Sequence, residues 1–362
     1  MIPGDWSRWF GGSLFLFSML CTAPAAASPW TLPQDKMAID LTYDFSYANK
    51  EYLPPGKFEG LQAFPLEGEY QESRLALGLR YGFSDRFEGA VDFSFKQVSY
   101  ESVPFFKGKP GSFEGREPLY NGNDGIFDFS ETRVGAGDFH FKGRYNVFSN
   151  GNVIKLTSET DLKLPGGYEE PEGTFASDKP DTGQIADDVT LGDGQVDLTQ
   201  SILFGGYIIP TRTFVRADAG YSLRFGTPGD QLEGGLKIGQ NFGQNLIFFV
   251  GSRAEYTVTD GGSIGISFIS TEPDAEPYQM KGGMGGNIKQ IPLTLDKDFV
   301  QLEAGMIFRL DNSEVQLSYR QIVWGRNIPA IKTASVSTVF AFPNVTGRTA
   351  ESPKASSEDN GS

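Results

Sequence analysis

The side chains that could do chemistry in this chain are charged residues spaced two positions apart, with one histidine among them. His140 is the single histidine, and Asp138 and Lys142 flank it at that spacing. A histidine beside a carboxylate is the usual general base of a hydrolase, so a hydrolase that uses His140 is one hypothesis. No motif that carries a nucleophile or a metal accompanies it. The sequence therefore favours a protein that is not an enzyme and that needs no cofactor or metal.

The charged residues alternate with apolar ones, and this alternation predicts β-strands. In residues 37–47, for example, Ile39 and Leu41 alternate with Asp40 and Thr42. Because successive side chains of a strand point to opposite faces, each such segment has one apolar and one polar face. Segments of this kind are predicted at residues 37–47, 74–81, 87–96, 134–147, 153–164, 195–204, 213–225, 231–242, 246–258, 299–310, 315–323 and 333–342.

The connections between these segments are alternately short and, for the most part, long, as in a transmembrane β-barrel. We predict an all-β fold, a single closed antiparallel transmembrane barrel of about 12 strands within residues 28–342. Fourteen strands are the alternative, if residues 263–270 and 291–297 add a hairpin. A soluble sandwich or barrel with one wet face also alternates and is the other interpretation.

The polar faces of the predicted strands would line the lumen, with nearly equal numbers of acids and bases. Facing charges of this kind can pair with one another, and they can also set the selectivity of a narrow permeation path. A salt-bridged plug that simply fills the barrel is the alternative. The lumen-lining candidates are Arg74, Arg80, Glu88, Asp92, Lys96, His140, Lys142, Arg144, Lys155, Glu159, Asp161, Arg216, Asp218, Arg253, Glu255, Glu303, Arg309 and Arg320.

Two long connections carry residues that suggest a function at the mouth of the barrel. Residues 101–133 are rich in aromatic side chains, which would fold over the mouth as a constriction or, alternatively, pack on one another. The constriction candidates are Phe105, Phe106, Phe113, Phe127 and Phe129. Residues 166–194 are acidic and could bind Ca²⁺ or Mg²⁺, but without the spacing of an EF-hand a solvated acidic loop is favoured.

The ends of the chain and its overall charge indicate the compartment. An apolar stretch at residues 10–20 followed by Ala25, Ala26 and Ala27 predicts a signal peptide over residues 1–27. The polar residues 343–362 are expected to form a disordered tail. With 46 acidic residues against 31 basic ones, nucleic acid is an unsuitable partner. The expected location is the outer membrane of a Gram-negative cell.

Three glycine-rich phrases resemble the outer-membrane proteins grouped as the "MetA-pathway of phenol degradation" family. They are VGAGD at residues 134–138, LKLPGG at 162–167 and LGDG at 191–194. The sequence departs from the family at Gly166, where a Thr or Ser is frequent. The resemblance implies a channel for the passive passage of small organic solutes, often aromatic or hydrophobic. A structural or adhesive barrel is the alternative function.

The expected partners follow from this interpretation. They are the outer-membrane lipid and lipopolysaccharide around the barrel, a small-molecule solute in its lumen, and the barrel-assembly machinery during insertion.

Overall fold

The computed structural model describes residues 29–53, 60–64, 67–102, 105–106, 126–127, 130–151, 153–168, 171, 190–270, 288–310 and 312–342. Twelve antiparallel strands in these ranges form one closed barrel, as the alternating sequence predicts. The strands are β1 Met37–Ala48, β2 Glu69–Gly82, β3 Phe87–Glu101, β4 Glu131–Asn150, β5 Ile154–Leu164, β6 Val196–Ile208, β7 Thr213–Phe225, β8 Gln231–Phe242, β9 Leu246–Thr257, β10 Asp298–Arg309, β11 Ser313–Arg326 and β12 Lys332–Phe342.

Each barrel strand pairs with the strand before it and the strand after it, and β1 closes the sheet by pairing with β12. Across this closure Met37 pairs with Phe342 and Tyr47 pairs with Lys332. Closure leaves the barrel without an unpaired sheet edge, which a strand surrounded by lipid cannot tolerate. Among the described residues there is no helix long and apolar enough to cross a membrane.

The alternation along the strands separates an apolar outer face from a polar inner one. On β1 the side chains of Leu41 and Phe45 are more than 40% exposed, whereas the residue before each of them, Asp40 and Asp44, is 3% and 2% exposed. The exposed apolar side chains belong to the face that lipid would cover. The inward and outward faces of β1 are therefore those predicted from the sequence.

The predicted alternative of fourteen strands is wrong. Ser263–Ser270 does pair with Ile288–Thr294, but the two form a separate two-stranded sheet outside the barrel. They lie within the connection between β9 and β10, and those two strands pair directly with each other. A second small sheet joins Lys50–Leu53, Gly60–Ala63 and Ile328–Pro329 at the same end of the barrel. The hairpin belongs to a connection at the end of the barrel and adds no strand to the barrel wall.

The barrel wall is irregular where β4 meets β5. The first part of β4 pairs with β3 from Glu131 onward, whereas its ladder with β5 begins only at Phe139, opposite Leu164. The β3–β4 ladder also changes register between Phe93 and Phe95. Such an irregularity bends a strand and redirects its side chains. The part of β4 that precedes Phe139 therefore needs neighbours other than β5.

The register predicts which substituted cysteines an aqueous reagent can reach. Leu75 faces outward and is 48% exposed on the surface that lipid would cover, whereas its neighbour Ala76 lines a cavity inside the barrel. In protein reconstituted into vesicles, we expect a polar methanethiosulfonate reagent to label Ala76→Cys rapidly and Leu75→Cys at least tenfold more slowly, because the thiol must ionise in water to react. Labelling rates measured by mass change test this pair, and the reverse order would invert the inward and outward faces.

Candidate functional site in the lumen

The lumen contains a cavity of about 900 Å³ at the end of the barrel where the long connections lie. Its upper wall includes Phe64, Leu191 and Ile328 from these connections, and its lower wall consists of charged strand residues. In outer-membrane barrels the longer connections face the cell exterior. This cavity is therefore the extracellular vestibule.

A second cavity of about 390 Å³ lies deeper in the barrel and includes Asp40, Arg216 and Lys237 in its lining. The two cavities meet at residues that line both, namely Arg74, His140, Lys142, Asp218 and Arg253. The lower cavity consequently continues the vestibule toward the middle of the barrel. Together they form one polar path that enters from the extracellular end.

Most of the predicted lumen residues line this path, but five do not. Those that line one or both cavities are Arg74, Asp92, Lys96, His140, Lys142, Glu159, Asp161, Arg216, Asp218, Arg253, Glu255, Glu303 and Arg320. Arg80, Glu88, Arg144, Lys155 and Arg309 are not among the residues that line these two cavities, so their place on an open lumen stays a prediction. Arg80, Glu88 and Arg144 are at most 1% exposed. Side-chain alternation gives the face of a residue and not its depth, which is why the sequence could not separate the two groups.

Four charges form a cluster at the rim of the vestibule, above β5, β6 and β7. The Nζ atom of Lys163 lies 2.6 Å from Asp193 and 2.5 Å from Asp197. Arg224 approaches the same two carboxylates at 2.5 Å and 3.6 Å. Burial alone would raise the pKa of Asp193, but Lys163, Lys297 and Arg224 outweigh it and lower that pKa to about 2. Asp193 therefore stays ionised and ties its connection to the wall.

The predicted histidine lies in a second cluster, where the two cavities meet. His140 Nδ1 lies 3.0 Å from Asp161, and Lys142 Nζ donates a hydrogen bond of 2.7 Å to Asp92. Lys142 is also 3.9 Å from Asp161. Within the described part of the chain, the ring of His140 bonds to Asp161. The cluster places His140 in the path, and the hydrolase hypothesis stays untested.

The other inward charges also pair across neighbouring strands. Asp44 binds both Arg74 and Arg320, the latter at 2.7 Å. Arg253 lies 2.6 Å from Glu233 and 3.2 Å from Glu255. Lys237 lies 2.8 Å from Glu303. Paired charges of opposite sign keep the lumen close to neutral, as the sequence predicts.

The periplasmic end of the lumen is closed by the segment Pro29–Leu32, which we call the N-terminal plug. Leu32 donates its backbone N–H to Glu88 at 2.6 Å, and Thr157 Oγ1 donates to the carbonyl of Pro29 at 2.6 Å. Trp30 is 2% and Leu32 is 1% exposed. The sequence interpretation missed this plug, because four residues without periodicity carry no strand or helix signal.

Buried ion pairs and apolar side chains complete the floor around the plug. Arg80 binds Asp40 at 2.8 Å, and Arg144 binds Glu88 at 3.0 Å and also Glu159. Beside them, inward-facing apolar residues form one buried cluster, Phe214, Ile247, Phe249 and Ile307. Leu32 packs against Ala38 and Val339 in another. The floor thus combines a charged layer with an apolar one.

The three glycine-rich phrases of the sequence converge at the irregular part of the wall. A Cβ on Gly166 would lie 1.9 Å from the carbonyl oxygen of Gly137, so the chain after β5 runs directly against β4 there. Tyr168 donates a hydrogen bond to Asp138 and accepts one of 3.1 Å from the N–H of Gly194. Burial raises the pKa of the Tyr168 hydroxyl, which therefore remains a donor. These residues therefore contact the first part of β4, which β5 does not reach.

The described part of the mouth contains a cluster of apolar and aromatic side chains around Leu191. Leu191 packs with Val98, Tyr70, Tyr100 and Tyr168, and its carbonyl accepts a hydrogen bond of 2.8 Å from Lys96. Of the predicted aromatic residues, Phe113 and Phe129 lie outside the described residues. Phe105 and Phe106 pair as a strand with Ile126–Phe127. The predicted signal peptide, the tail and most of the acidic connection also lie outside the described ranges.

In the residues that the structure describes, no group of three or more His, Cys, Asp or Glu side chains is placed to hold a metal ion. The described carboxylate of the acidic connection, Asp193, is bound by Lys163 and Arg224.

Comparison with solved structures identifies the fold. The COG4313 outer membrane channel from Pseudomonas putida F1 superposes with a TM-score of 0.55 at 12% identity, over 89% of this chain and 100% of that one. The chain has the fold of an outer-membrane channel.

More distant similarity is found to other barrels of this class. The β domain of the Bordetella autotransporter BrkA has a TM-score of 0.42 at 13% identity, over 85% of this chain and 100% of that one. The CymD monoaromatic hydrocarbon channel has a TM-score of 0.39 at 10% identity, over 94% and 95%. No protein-family model matches the sequence, and no curated protein is significantly similar to it.

The contact between Gly166 and Gly137 predicts the effect of a single methyl group. Because the added Cβ of Gly166→Ala would overlap a backbone oxygen, residues 165–168 must move away from β4, at a cost of about 1–3 kcal/mol. We expect the temperature at which the folded barrel converts to the unfolded form on a denaturing gel to fall. Gly143→Ala is the matched control, since its nearest atom would be 3.8 Å away on Phe87. Equal melting of the two variants would contradict the close packing.

The rim cluster predicts a pH dependence. The pKa of Asp193 is lowered from 3.8 to about 2, so its contribution to stability is complete above pH 4 and is lost as the pH falls toward 2. We expect Asp193→Asn to lower the barrel's unfolding temperature at pH 7, by a free energy on the order of 2 kcal/mol. The difference between the variant and the wild type should vanish near pH 2. A difference that is the same at both pH values would contradict the ion-paired role of Asp193.

Proposed function

We propose that this protein is an outer-membrane channel that admits small organic solutes passively from the cell exterior. The observation that carries the proposal is the polar path, in which the vestibule of about 900 Å³ leads into the lower cavity of about 390 Å³. A barrel whose inside served only as structure would fill this space with side chains. The similarity in fold to the COG4313 outer membrane channel supports the same class.

The lining indicates what the path admits. Its charges are paired, so a solute meets a neutral but strongly polar wall, and a lipid chain entering it would leave those charges without water. Tyr70, Tyr100 and Leu191 at the mouth add apolar surface next to the charged wall. This combination suits a small molecule with an apolar body and a polar group. The aromatic solutes implied by the family resemblance have this character.

The N-terminal plug closes the periplasmic end of the path. A solute that reaches the lower cavity leaves the barrel only if the plug moves, since its bonds to Glu88 and Thr157 cross the floor. The plug is held by a few hydrogen bonds and by two large side chains, which is a modest barrier compared with the barrel itself. We propose that displacement of the plug opens the channel.

The proposal includes the route to the membrane. Residues 1–27 would direct secretion as a signal peptide, the barrel-assembly machinery would insert the barrel, and lipid with lipopolysaccharide would surround its apolar face. The wide separation of apolar outer and polar inner faces along every strand supports insertion.

Weakening the plug should increase conduction. Truncation of a buried Trp or Leu removes about 2–5 kcal/mol of packing, so Trp30→Ala combined with Leu32→Ala shifts the plug toward its displaced state. In planar lipid bilayers we expect brief, rare openings for the wild type and at least tenfold higher open probability for the double variant. Deletion of residues 29–33 should give the same result.

The matched control is Trp324→Ala, which removes a Trp that is 49% exposed and should leave conduction as in the wild type. Retained heat-dependent gel mobility would show that each variant is folded. Folded wild-type and plug variants that are all silent, and that take up no solute in vesicles, would instead favour the structural or adhesive barrel.

A further inference from the structure

Two inward charges on β7 stand apart from the paired charges of the lumen. Arg216 and Asp218 both line the lower cavity. Among the described residues, neither has an ion-pair partner within 4.0 Å, and no hydrogen bond is found for either side chain. They occupy alternate positions on one face of the strand, so their Cα atoms are about 7 Å apart. Two unpaired opposite charges at one place in a lumen of paired charges indicate a binding site.

Arg216 is held in place by aromatic rings. Its guanidinium carbon lies 5.2 Å from the ring of Trp30 and 5.0 Å from the ring of Phe214. Its Nε atom is buried and has no hydrogen-bond partner. The rings orient the guanidinium and stabilise its charge, but they cannot accept its N–H groups in the way that a carboxylate does.

The electrostatic surroundings of Arg216 favour an anion. The charged side chains with the largest effect on it are the acid Glu314 and the bases Arg309, Arg80 and Arg144. Glu314 is itself bound to Arg309 at 2.9 Å. Arg80 and Arg144 are paired too, with Asp40 and with Glu88 and Glu159. Among the described residues, the acids of the floor are thus bound to other cations and not to Arg216, and the lower cavity gives a solute access to it.

Asp218 lies on the extracellular side of Arg216, where the two cavities meet. Glycines face it on the neighbouring strand and on its own, and a Cβ on Gly235 would lie 2.7 Å from Asp218 Oδ1. Any larger residue at Gly235 would cover the carboxylate. The absence of a side chain there leaves Asp218 open to a solute on its way to Arg216.

We propose that Arg216 binds the carboxylate of a small organic solute and that Asp218 accepts a hydrogen bond from a hydroxyl or ammonium group of the same molecule. The planar guanidinium fork matches a carboxylate in shape and charge. The rings of Trp30 and Phe214 provide apolar surface next to it. The ligand class is thus a small, compact carboxylic acid with a second polar group. This inference deepens the proposed channel function, on which its physiological meaning rests.

Equilibrium dialysis of radiolabelled benzoate and 4-hydroxybenzoate against the purified full-length protein in detergent tests the site directly. We expect saturable binding of benzoate and tighter binding of 4-hydroxybenzoate. Arg216→Gln should weaken both at least tenfold, because a hydrogen-bonded charge pair is lost. Asp218→Ala should bind benzoate as well as or better than the wild type and should lose the preference for 4-hydroxybenzoate. Neutral benzamide, which has the same shape, should not compete.

Two further variants separate this site from a general attraction of anions. Arg320→Gln removes a cation of the same cavity that is paired with Asp44, and Arg133→Gln removes one that is paired with Glu131 outside both cavities. A loss with Arg320→Gln as large as the loss with Arg216→Gln would overturn the assignment. So would competition by benzamide, or benzoate binding that survives Arg216→Gln in a barrel shown to be folded.

Binding and conduction are measured separately, so the two proposals can fail separately. Benzoate binding without conductance in any plug variant would keep the site and refute the channel. Conductance without saturable benzoate binding would keep the channel and refute the site.

Discussion

The structure depends on one constraint, which is that every backbone N–H and C=O group inside the hydrocarbon layer needs a partner within the protein. The closure of β1 on β12 meets it around the barrel. β5 ends at Leu164, opposite Phe139, so the part of β4 that precedes Phe139 has no hydrogen-bonding partner on β5. There the constraint is met differently. The chain leaving β5 turns against β4 at Gly166 and Gly137, and Tyr168 ties it to Asp138 and Gly194. The glycine-rich phrases are therefore part of the wall.

Once the wall is closed, the inner charges fix its register. Lys142 is directly opposite Asp161 and Arg144 is opposite Glu159 on β5, while Arg224 is opposite Asp197 on β6. A shift of one residue would turn these charges toward lipid, at several kcal/mol for each one near the midplane. The paired ladders are thus as important for folding to one register as for any property of the lumen. Most of the inward charges that the structure describes are therefore paired with a charge on a neighbouring strand and are less available to a solute.

The sequence predicts the wall well and the lumen poorly, for one physical reason. Alternation with period two is a local property, so it locates the strands, and β7 and β8 begin and end where the pattern predicts. The depth of a side chain depends on what fills the barrel, and this involves residues far apart in the chain. Glu88 is closed off because Leu32 donates to it from 56 positions away. That contact leaves no periodic signal. The alternation at residues 263–270 predicts a hairpin but does not tell whether the hairpin joins the barrel wall.

The N-terminal plug and the unpaired arginine belong to one arrangement. Trp30 closes the floor and at the same time lies against Arg216, and a Cβ on Gly205 would lie 2.8 Å from its ring. A carboxylate that accepts hydrogen bonds from Arg216 also changes the contact between this guanidinium and the ring of Trp30, and either weakens or strengthens it. Occupancy of the lower cavity and the position of the plug are then linked, and each changes the equilibrium of the other by the same factor. Solute binding at Arg216 and displacement of the plug, both proposed above, would then be coupled through Trp30, so that a bound solute shifts the equilibrium between the closed and the open floor.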